Sequence, residues 1–414
     1  MSDRTISRRD LIKSAQLLPL AGLLPAAAEA AEQTGGSSMS VTPFKVDVPQ
    51  ARLDYINTRI KDAQWPDVPE GQPWQYGTSF EALKDLVSYW QTKYDWRARE
   101  AAMNRFPHFK AKVEDYEIHF MHVKGSGKNP QPIIITHGWP GSFVEFLKVI
   151  DPLAHPEKYG GQADDGFSVV VPSIPGFGFS SKPKKPINSR FVAHLWDKLM
   201  TENLGYGSYI AQGGDYGGPI STWLGFEGKG CKAVHLNFLL GVGSPPANDE
   251  EKAAMQRWMQ VYETEGGYIH IQSTKPLTLS YAMTDSPLGA AAWIFEKMKT
   301  WSDLKNGDPW SIYTRDEVLD NIMVYLTTNT FGTASWMYAG AGLEPAVPPG
   351  KVEKPTAIAH FPGELVFWPK SYGERQFKLV RWTDMPHGGH FAAMEQPKLF
   401  ADDVLAFGRM LKSG

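Results

Sequence analysis

Short, almost wholly apolar stretches recur through the middle of the chain and alternate with amphipathic ones. The stretches QPIIITHGW, GFSVVVPSIPG and KAVHLNFLL have the Val- and Ile-rich composition of strands that are buried on both faces of a parallel sheet. Between such stretches, apolar side chains recur at helical spacing over residues 142–153, 188–203 and 217–227. This alternation predicts an α/β fold with a mostly parallel central sheet and helices on both of its faces.

The segment before the first convincing strands has a different pattern. Amphipathic helical patterns at residues 49–63 and 80–94 precede the probable hairpin HFKAKVEDYEIHFMHVKG. We therefore predict that residues 43–105 form an added helical meander that takes no part in the sheet.

The alternation breaks a second time after residue 244. Residues 245–350 are largely helical in pattern and contain no strong strand, so they predict a helical lid inserted into the fold. The sheet resumes with KPTAIAHFPGE and FKLVRWTDMPHGGHF, and a helix over residues 397–411 closes the chain. The predicted core therefore comprises residues 106–244 and 351–414.

The first 30 residues have the pattern of an export signal. The paired Arg8 and Arg9 precede a moderately apolar run, and AEA at residues 28–30 has the small-x-small form of a signal-peptidase site. Prolines break this run, which is too short to span a bilayer of ~30 Å, so no permanent membrane anchor is predicted. We expect twin-arginine export, which would make the protein periplasmic or secreted, with residues 31–42 as a polar linker. A disordered basic tail is the alternative.

Composition narrows the choice of partner. The 414 residues carry a formal net charge of -3, and no basic run follows the extreme N-terminus, so nucleic acid is not expected as a partner. A small neutral molecule fits better. Cys231 is the single cysteine, which excludes an intramolecular disulfide, a thiolate metal site and Cys-x-x-Cys redox chemistry.

The stretch YIAQGGDYGGPI has the layout of a strand, a sharp glycine-bracketed turn and a helix. Its GGDYG segment, residues 213–217, fits the small-x-nucleophile-x-small form, in which glycines permit backbone angles that a Cβ would obstruct. This geometry lifts one side chain above the end of a parallel sheet. We interpret the lifted residue, Asp215, as a nucleophile; an ordinary Gly-Gly-Asp turn is the alternative.

Four further residues fall where a nucleophile of this kind needs partners. The segment ITHGWPG ends an earlier strand and predicts the backbone N–H of Trp139 as one oxyanion-hole donor, and Tyr216 supplies the other. Glu364 follows the strand TAIAHF, and His390 follows the next strand, in PHGGHF. The chain order of nucleophile, acid and base therefore predicts a triad of Asp215, Glu364 and His390.

An aspartate at this place changes the chemistry of the triad. Asp is ionised at neutral pH and can displace a leaving group from a saturated carbon, which leaves the substrate as an ester of the enzyme. His390, oriented by Glu364, can then activate water to hydrolyse that ester. Alkyl halides, whose leaving group needs N–H donors, and epoxides, whose oxygen needs an acid such as tyrosine, both fit this scheme.

Two weaker patterns concern metals and cofactors. His387 and His390 suggest a metal site, but the sequence has no H-E-x-x-H helix and no recurring cluster of further ligands. The segment PGFGFSS resembles a dinucleotide fingerprint but lacks its third glycine at the required offset, so a tight turn is expected. We predict neither a metal nor a cofactor.

Several longer motifs resemble one known family. Epoxide hydrolases of the microsomal and juvenile-hormone type, which have the α/β-hydrolase fold, carry segments similar to HGWPGSFVEF, GGDYG, GGYIHIQSTKP, DSPLGAAAWIFEKMKTW, FPGE and GGHFAAMEQP. The resemblance runs from about residue 43 to the C-terminus and includes the N-terminal meander. It implies an enzyme that converts small apolar epoxides to vicinal diols without a cofactor.

The resemblance also assigns residues. The two lid tyrosines of that family, which bind the epoxide oxygen, correspond to Tyr268 in GGYIHIQ and Tyr338 in SWMYAGAG. The family's acid is a glutamate in F-P-x-E, which corresponds to Glu364. Tyr216 stands where a tryptophan is frequent in the family, a change that leaves the backbone donor in place. The animal members carry an N-terminal membrane anchor, and here the export signal replaces it.

Two other functions fit parts of the same pattern. A haloalkane or haloacid dehalogenase would use the same aspartate as its nucleophile. A non-catalytic binding protein of the same fold would keep the pocket but lose one member of the triad, and all three members are present. We therefore predict an epoxide hydrolase.

Overall fold

The computed structural model describes residues 40–71, 73–239 and 244–413. The predicted export signal, residues 1–30, and most of the predicted linker lie outside the described residues. Within these ranges, no helix is both long and apolar enough to cross a membrane.

Nine strands of the described chain form a single sheet. They are β1 (Val41–Phe44), β2 (His108–Val113), β3 (Tyr116–Val123), β4 (Gln131–Thr136), β5 (Phe167–Pro172), β6 (Tyr209–Gly213), β7 (Cys231–Leu236), β8 (Val352–His360) and β9 (Phe377–Asp384). Their order across the sheet is β1-β2-β3-β5-β4-β6-β7-β8-β9. The pairs from β5–β4 to β8–β9 are parallel, whereas β1–β2, β2–β3 and β3–β5 are antiparallel. The predicted α/β fold with a mostly parallel sheet is confirmed.

The first strand corrects the prediction for the N-terminal segment. We expected residues 43–105 to stay outside the sheet, but β1 pairs with β2 at the sheet edge. Its position at the edge explains why the pattern was weak, since Thr42 and Pro43 are exposed and alternation is short. A proline, which cannot donate to the ladder, is tolerated on an edge strand.

Helices cover the parallel part of the sheet. They are α4 (Ile150–Ala154), α5 (Ser189–Lys198), α6 (Gly217–Glu227), α13 (Lys370–Gln376), α14 (Ala392–Glu395) and α15 (Pro397–Ser413). Helix α5 begins after Asn188, whose side chain accepts the Phe191 N–H, and continues into a π-helical turn at Leu199–Asn203. Parallel strands with helical crossovers are buried on both faces, which is why all six residues of β5 are buried.

The helix predicted over residues 142–153 is wrong as a single element. A short 3₁₀ turn at Phe143–Phe146 is followed by α4. Pro152 accounts for the break, because it would remove a hydrogen bond inside one long helix but is tolerated in the first turn of a new one. The Ser142 side chain also accepts the Val144 N–H, which caps the 3₁₀ turn.

Among the described residues, six α-helices lie between β7 and β8. They are α7 (Asp249–Glu265), α8 (Gly267–Thr274), α9 (Pro276–Asp285), α10 (Pro287–Thr300), α11 (Arg315–Thr328) and α12 (Phe331–Ala341). Helix α11 has a capping box, in which Thr314 and Glu317 satisfy each other's backbone N–H groups. Most of α11 is buried, with an unbroken run from Val318 to Leu326.

The N-terminal segment holds α11 through polar contacts. It contains α1 (Gln50–Lys61), α2 (Phe80–Thr92) and α3 (Trp96–Met103). Arg99 of α3 donates to both carboxylate oxygens of the buried Asp320, from Nε to Oδ1 at 2.9 Å and from Nη2 to Oδ2 at 2.6 Å. The Tyr94 hydroxyl donates to the same carboxylate at 2.9 Å. We call Tyr94, Arg99 and Asp320 the meander clamp.

Candidate active site

The turn between β6 and α6 has the backbone that the sequence predicts. Asp215 lies in the left-handed region, with φ of 44°, although it is not a glycine. The flanking glycines are required by crowding: a Cβ at Gly217 would overlap the Thr136 carbonyl, and one at Gly213 would overlap the Gly217 backbone. The strained residue is therefore held in place by its neighbours and lies at the carboxyl end of the sheet.

The register of β4 and β6 brings the first predicted oxyanion donor to Asp215. Thr136 pairs with Gly213, so the residues that follow both strands lie side by side. The Trp139 N–H donates to Asp215 Oδ1 at 2.8 Å. Gly138 makes room for this contact, because a Cβ there would overlap the Asp215 carboxylate.

The second predicted donor, Tyr216, immediately follows Asp215 and occupies the N-cap of α6. The N–H groups at the start of a helix have no carbonyl partner within that helix. The Tyr216 ring packs edge-on against the Tyr338 ring, with 5.2 Å between their centroids. The Tyr216 side chain therefore contacts the lid.

The strands β8 and β9 place the acid and the base together. Gly363 and Gly389 form an isolated parallel bridge, and Glu364 and His390 are the next residues in each segment. His390 Nδ1 lies 2.7 Å from Glu364 Oε1, and His390 Nε2 lies 3.2 Å from Asp215 Oδ2. The three residues of the predicted triad therefore come into direct contact in the order acid, base, nucleophile.

Charge and burial act in opposite directions on His390. Burial favours the neutral imidazole, but the carboxylates of Glu364 and Asp215 outweigh it and raise the pKa of His390 well above its ordinary value. The imidazole is therefore held as a cation while both carboxylates are charged. Loss of the negative charge on Asp215 removes one of the two groups that favour the cation.

The two lid tyrosines face each other near Asp215. Tyr268 lies on α8 and Tyr338 on α12, and their ring centroids are 5.6 Å apart. Both rings pack against the Trp139 indole, Tyr268 stacked at 5.2 Å and Tyr338 edge-on at 5.6 Å. Burial raises the pKa of Tyr268, and the nearby Asp215 charge adds to the shift. Burial likewise raises the pKa of Tyr338, so both phenols keep their protons.

Lid helix α11 holds the loop that carries Trp139. Asn321, the residue after Asp320 of the meander clamp, donates from Nδ2 to the Pro140 carbonyl at 2.7 Å. The Tyr325 hydroxyl donates to the Gly141 carbonyl at 2.6 Å. One helix therefore contacts both the N-terminal segment and the loop of the oxyanion donor.

Sequence reasoning missed two carboxyl groups of the site, the buried Glu395 and the half-buried Glu145. Glu395 accepts three backbone N–H groups around His390, from Gly389 and Phe391 on either side of it and from Asp303, each at 2.9 Å. Burial raises the pKa of Glu395 to about 7, and these hydrogen bonds oppose the shift. Glu145, in the 3₁₀ turn after Trp139, is the second. Both lie inside quoted motifs, HGWPGSFVEF and GGHFAAMEQP, but burial cannot be read from a motif.

The two histidines that suggested a metal site are not paired. His387 is exposed, whereas His390 is buried in the triad. Within the part of the chain that the structure describes, no three His, Cys, Asp or Glu side chains are grouped as metal ligands. Cys231 is buried in β7.

Two family descriptions match the chain and overlap at the loop of the oxyanion donor. "Epoxide hydrolase N terminus" matches residues 41–146, and "alpha/beta hydrolase fold" matches residues 131–397. A Stigmatella aurantiaca protein that is named as an epoxide hydrolase is 42% identical to this chain over 384 residues. The match covers 90% of this chain and 86% of the Stigmatella protein. The chain belongs to the epoxide hydrolase family.

Other members of the epoxide hydrolase family match over nearly the whole chain. Epoxide hydrolase 1 of Sus scrofa is 36% identical to this chain. The match covers 94% of this chain and 92% of the Sus scrofa protein. The crystal structure of juvenile hormone epoxide hydrolase from Bombyx mori superposes with a TM-score of 0.81 at 30% identity, covering 91% of this chain and 96% of that one. The predicted family is confirmed, with its N-terminal segment and its hydrolase fold in one chain.

Proposed function

We propose that this chain hydrolyses epoxides to vicinal diols through a covalent ester on Asp215. The observation that carries the proposal is the arrangement around that carboxylate. One oxygen accepts the Trp139 N–H, the other lies 3.2 Å from His390 Nε2, and two protonated phenols lie in the lid above the same turn. Membership of the epoxide hydrolase family supports the same reaction.

In the first half-reaction, a carboxylate oxygen of Asp215 attacks one carbon of the epoxide ring. The C–O bond of the ring breaks, and the ring oxygen takes the proton of Tyr268 or Tyr338. A phenol suits this step because it is a neutral acid at neutral pH and keeps its proton until the alkoxide forms. The products are an ester of Asp215 and a tyrosinate.

Ester formation removes the Asp215 charge, and His390 then releases its proton to solvent. In the second half-reaction, the neutral His390 takes a proton from water at Nε2, and the resulting hydroxide attacks the carbonyl carbon of the Asp215 ester. The backbone N–H groups of Trp139 and Tyr216 stabilise the oxyanion. The bond between the carbonyl carbon and the alkyl oxygen breaks, and that oxygen takes the proton from His390. The acid formed on Asp215 returns its proton to the tyrosinate, and His390 regains a proton from solvent beside the restored carboxylate, which completes the cycle.

Heavy-oxygen water tests the covalent route. In a single turnover with enzyme in excess, the first diol should carry an unlabelled new hydroxyl and the label should enter Asp215, because water attacks the carbonyl carbon. His390→Ala should form the ester and then stall, leaving a mass adduct on the peptide that contains Asp215. Labelled diol in the first turnover, with no adduct in His390→Ala, would contradict the nucleophile role.

A substrate panel separates epoxide hydrolysis from dehalogenation. The wild-type protein should convert epoxides to diols and release no chloride from chloroalkanes, since the two lid phenols supply an acid for oxygen. Chloride release with inert epoxides would assign the same Asp215 to a dehalogenase. A chain that binds epoxides but turns over neither class would be a binding protein.

We also propose that residues 1–30 direct twin-arginine export. The proposal is supported by Arg8 and Arg9 before the apolar run and by AEA at residues 28–30. Changing Arg8 and Arg9 together to lysine should retain an active, uncleaved precursor in the cytoplasm. Export of that variant at the normal rate would exclude the twin-arginine route.

A further inference from the structure

A small cavity lies beside the reacting groups, at the end of the sheet. It is lined by the three charged or titratable groups Asp215, His390 and Glu145, and by the Asn237 side chain among others. The volume that the centre of a water molecule can occupy is about 10 Å³, so the cavity has room for roughly one water molecule. A water at such a site needs two to four polar partners, and this lining supplies them.

Glu145 reaches this cavity because of a glycine in the same loop. Any Cβ at Gly141 would overlap a carboxylate oxygen of Glu145, so the missing side chain at Gly141 makes room for the Glu145 carboxyl. Gly138 does the same for Asp215. The two glycines of HGWPG therefore make room for two carboxyl groups that share one cavity. The proposed reaction uses only the carboxyl group of Asp215.

The charge state of Glu145 depends on that of Asp215. Burial raises the pKa of Glu145 to about 8; His390 opposes the shift, and the Asp215 carboxylate adds to it. The other titratable groups near Glu145 are Tyr313 and Tyr325, both protonated because burial raises their pKa values. Esterification of Asp215 and the loss of the His390 proton act in opposite directions on the pKa of Glu145, and a carboxyl group offers an accepting oxygen in either charge state.

We propose that Glu145 is a water-positioning residue that holds the hydrolytic water in this cavity, between the Asp215 ester and His390. The inference rests on the proposed covalent function. The water gives one proton to His390 Nε2 as its oxygen attacks the ester carbonyl carbon, and its other hydrogen is donated to a Glu145 oxygen. Glu145 itself forms and breaks no covalent bond, so its contribution is confined to ester hydrolysis.

Rapid-mixing kinetics on Glu145→Gln test this role. The variant should form the ester at the wild-type rate and hydrolyse it about tenfold more slowly or worse, on the scale of one lost hydrogen bond, so that ester accumulates at steady state. Glu344→Gln is the matched control, because burial also raises the pKa of Glu344 but this residue does not line the cavity. The control should hydrolyse the ester at the wild-type rate.

The outcomes separate this inference from the proposed function. Absence of an ester in both wild type and His390→Ala would contradict the covalent function itself. A normal ester with unchanged hydrolysis in Glu145→Gln, or equal slowing of both half-reactions, would contradict only the role of Glu145. If Glu145→Gln does not fold, Glu145→Asp takes its place; the shorter carboxyl should slow hydrolysis selectively, and equal slowing of both steps would again be decisive against the role.

Discussion

Tyr268 and Tyr338 carry their hydroxyl groups in a site that also holds the charged Asp215. A phenol beside a carboxylate and away from water ionises less readily, which is why the pKa of each tyrosine is raised. The same raised pKa keeps the phenol protonated over the whole neutral range, so that a proton is available for the epoxide oxygen. At the scale of single residues, burial and the neighbouring carboxylates together therefore set which group gives a proton and which group takes one.

Replacing either tyrosine with phenylalanine tests the assignment of the acid. Tyr268→Phe and Tyr338→Phe should each slow ester formation by roughly 10²-fold, the lower range for loss of a general acid, because the epoxide oxygen loses a hydrogen-bond donor. Hydrolysis of an ester that has already formed should stay nearly unchanged. Single-turnover kinetics separate the two rates, and normal ester formation in both variants would remove these tyrosines from the reaction.

Glu395 is expected to hold the His390 backbone in place. Glutamine offers one acceptor oxygen where glutamate offers two, so Glu395→Gln leaves at least one of three backbone N–H groups without a partner. The free energy of unfolding should fall by about 1–3 kcal/mol, and ester hydrolysis should slow. Denaturant titration measures the first effect and rapid mixing the second.

The control for Glu395 is Asp402→Asn. Asp402 pairs with Lys398 on the exposed face of α15, and surface pairs of this kind contribute about 0–1 kcal/mol. If both variants lose the same stability and hydrolyse the ester at the same rate, Glu395 has no special role at His390.

Sequence reasoning found the residues whose place follows from strand ends. Asp215, Glu364 and His390 each follow a strand of the parallel sheet, and the order of those strands was readable from the apolar runs. Glu145 and Glu395 were missed because nothing in a sequence distinguishes a buried carboxyl from a solvated one. Their burial depends on Gly141 and on the loop around His390, which only the folded chain brings together.

At the scale of elements, α11 shows how polar contacts position a catalytic loop. The meander clamp fixes Asp320, and the next residue, Asn321, fixes the Pro140 carbonyl. The Asp320 carboxylate is buried, so it needs both the Arg99 charge and the Tyr94 hydroxyl. Removing one partner of such a pair leaves an uncompensated buried charge.

Arg99→Met tests the meander clamp. The free energy of unfolding should fall by about 3–5 kcal/mol, the usual cost of breaking a buried ion pair from one side. Arg409→Met is the matched control, because the Arg409–Asp165 pair is half exposed and should contribute about 0–1 kcal/mol. Equal losses in the two variants, measured by denaturant unfolding, would show that the clamp contributes no more than a surface pair.

Elements were predicted well where one pattern dominated. The bounds of α6 agree with the predicted residues 217–227, since a glycine turn begins it and a strand follows. Strand β1 was missed because four residues with a proline give too short an alternation. The pattern over residues 142–153 predicts one helix because its apolar spacing continues across the break between the 3₁₀ turn and α4.

At the scale of the whole molecule, buried titratable groups give opposite dependences of stability on pH. Glu145 and Glu395 have folded pKa values raised to about 8 and about 7, so the stability linked to their protons is lost as pH rises through those values. Burial lowers the pKa values of His122 and His137 to about 4. The stability linked to these neutral imidazoles is lost as pH falls from about 6.5 towards 4.

Comparing Glu395→Gln with wild type at two pH values isolates one of these groups. Between pH 5 and pH 8 the free energy of unfolding of the wild type falls, because the folded state must either keep Glu395 protonated or bury its charge. The variant has no such group and does not lose this stability. The stability difference between them should therefore shrink on the order of 2 kcal/mol as pH rises. Denaturant titrations at both pH values measure it, and a constant difference would mean that Glu395 does not titrate in this range.

Helix α11 contacts both the N-terminal segment and the loop that carries Trp139, and this limits where the genes of two related proteins can be recombined. Tyr94 and Arg99 lie in one region of sequence and their partner Asp320 lies more than two hundred residues away, next to Asn321. A chimera that takes residues 41–105 from one relative and the rest from another must therefore keep the hydrogen bonds that Asp320 accepts from positions 94 and 99. Crossovers that separate them should yield inactive offspring, so the N-terminal segment and the lid are expected to be inherited together.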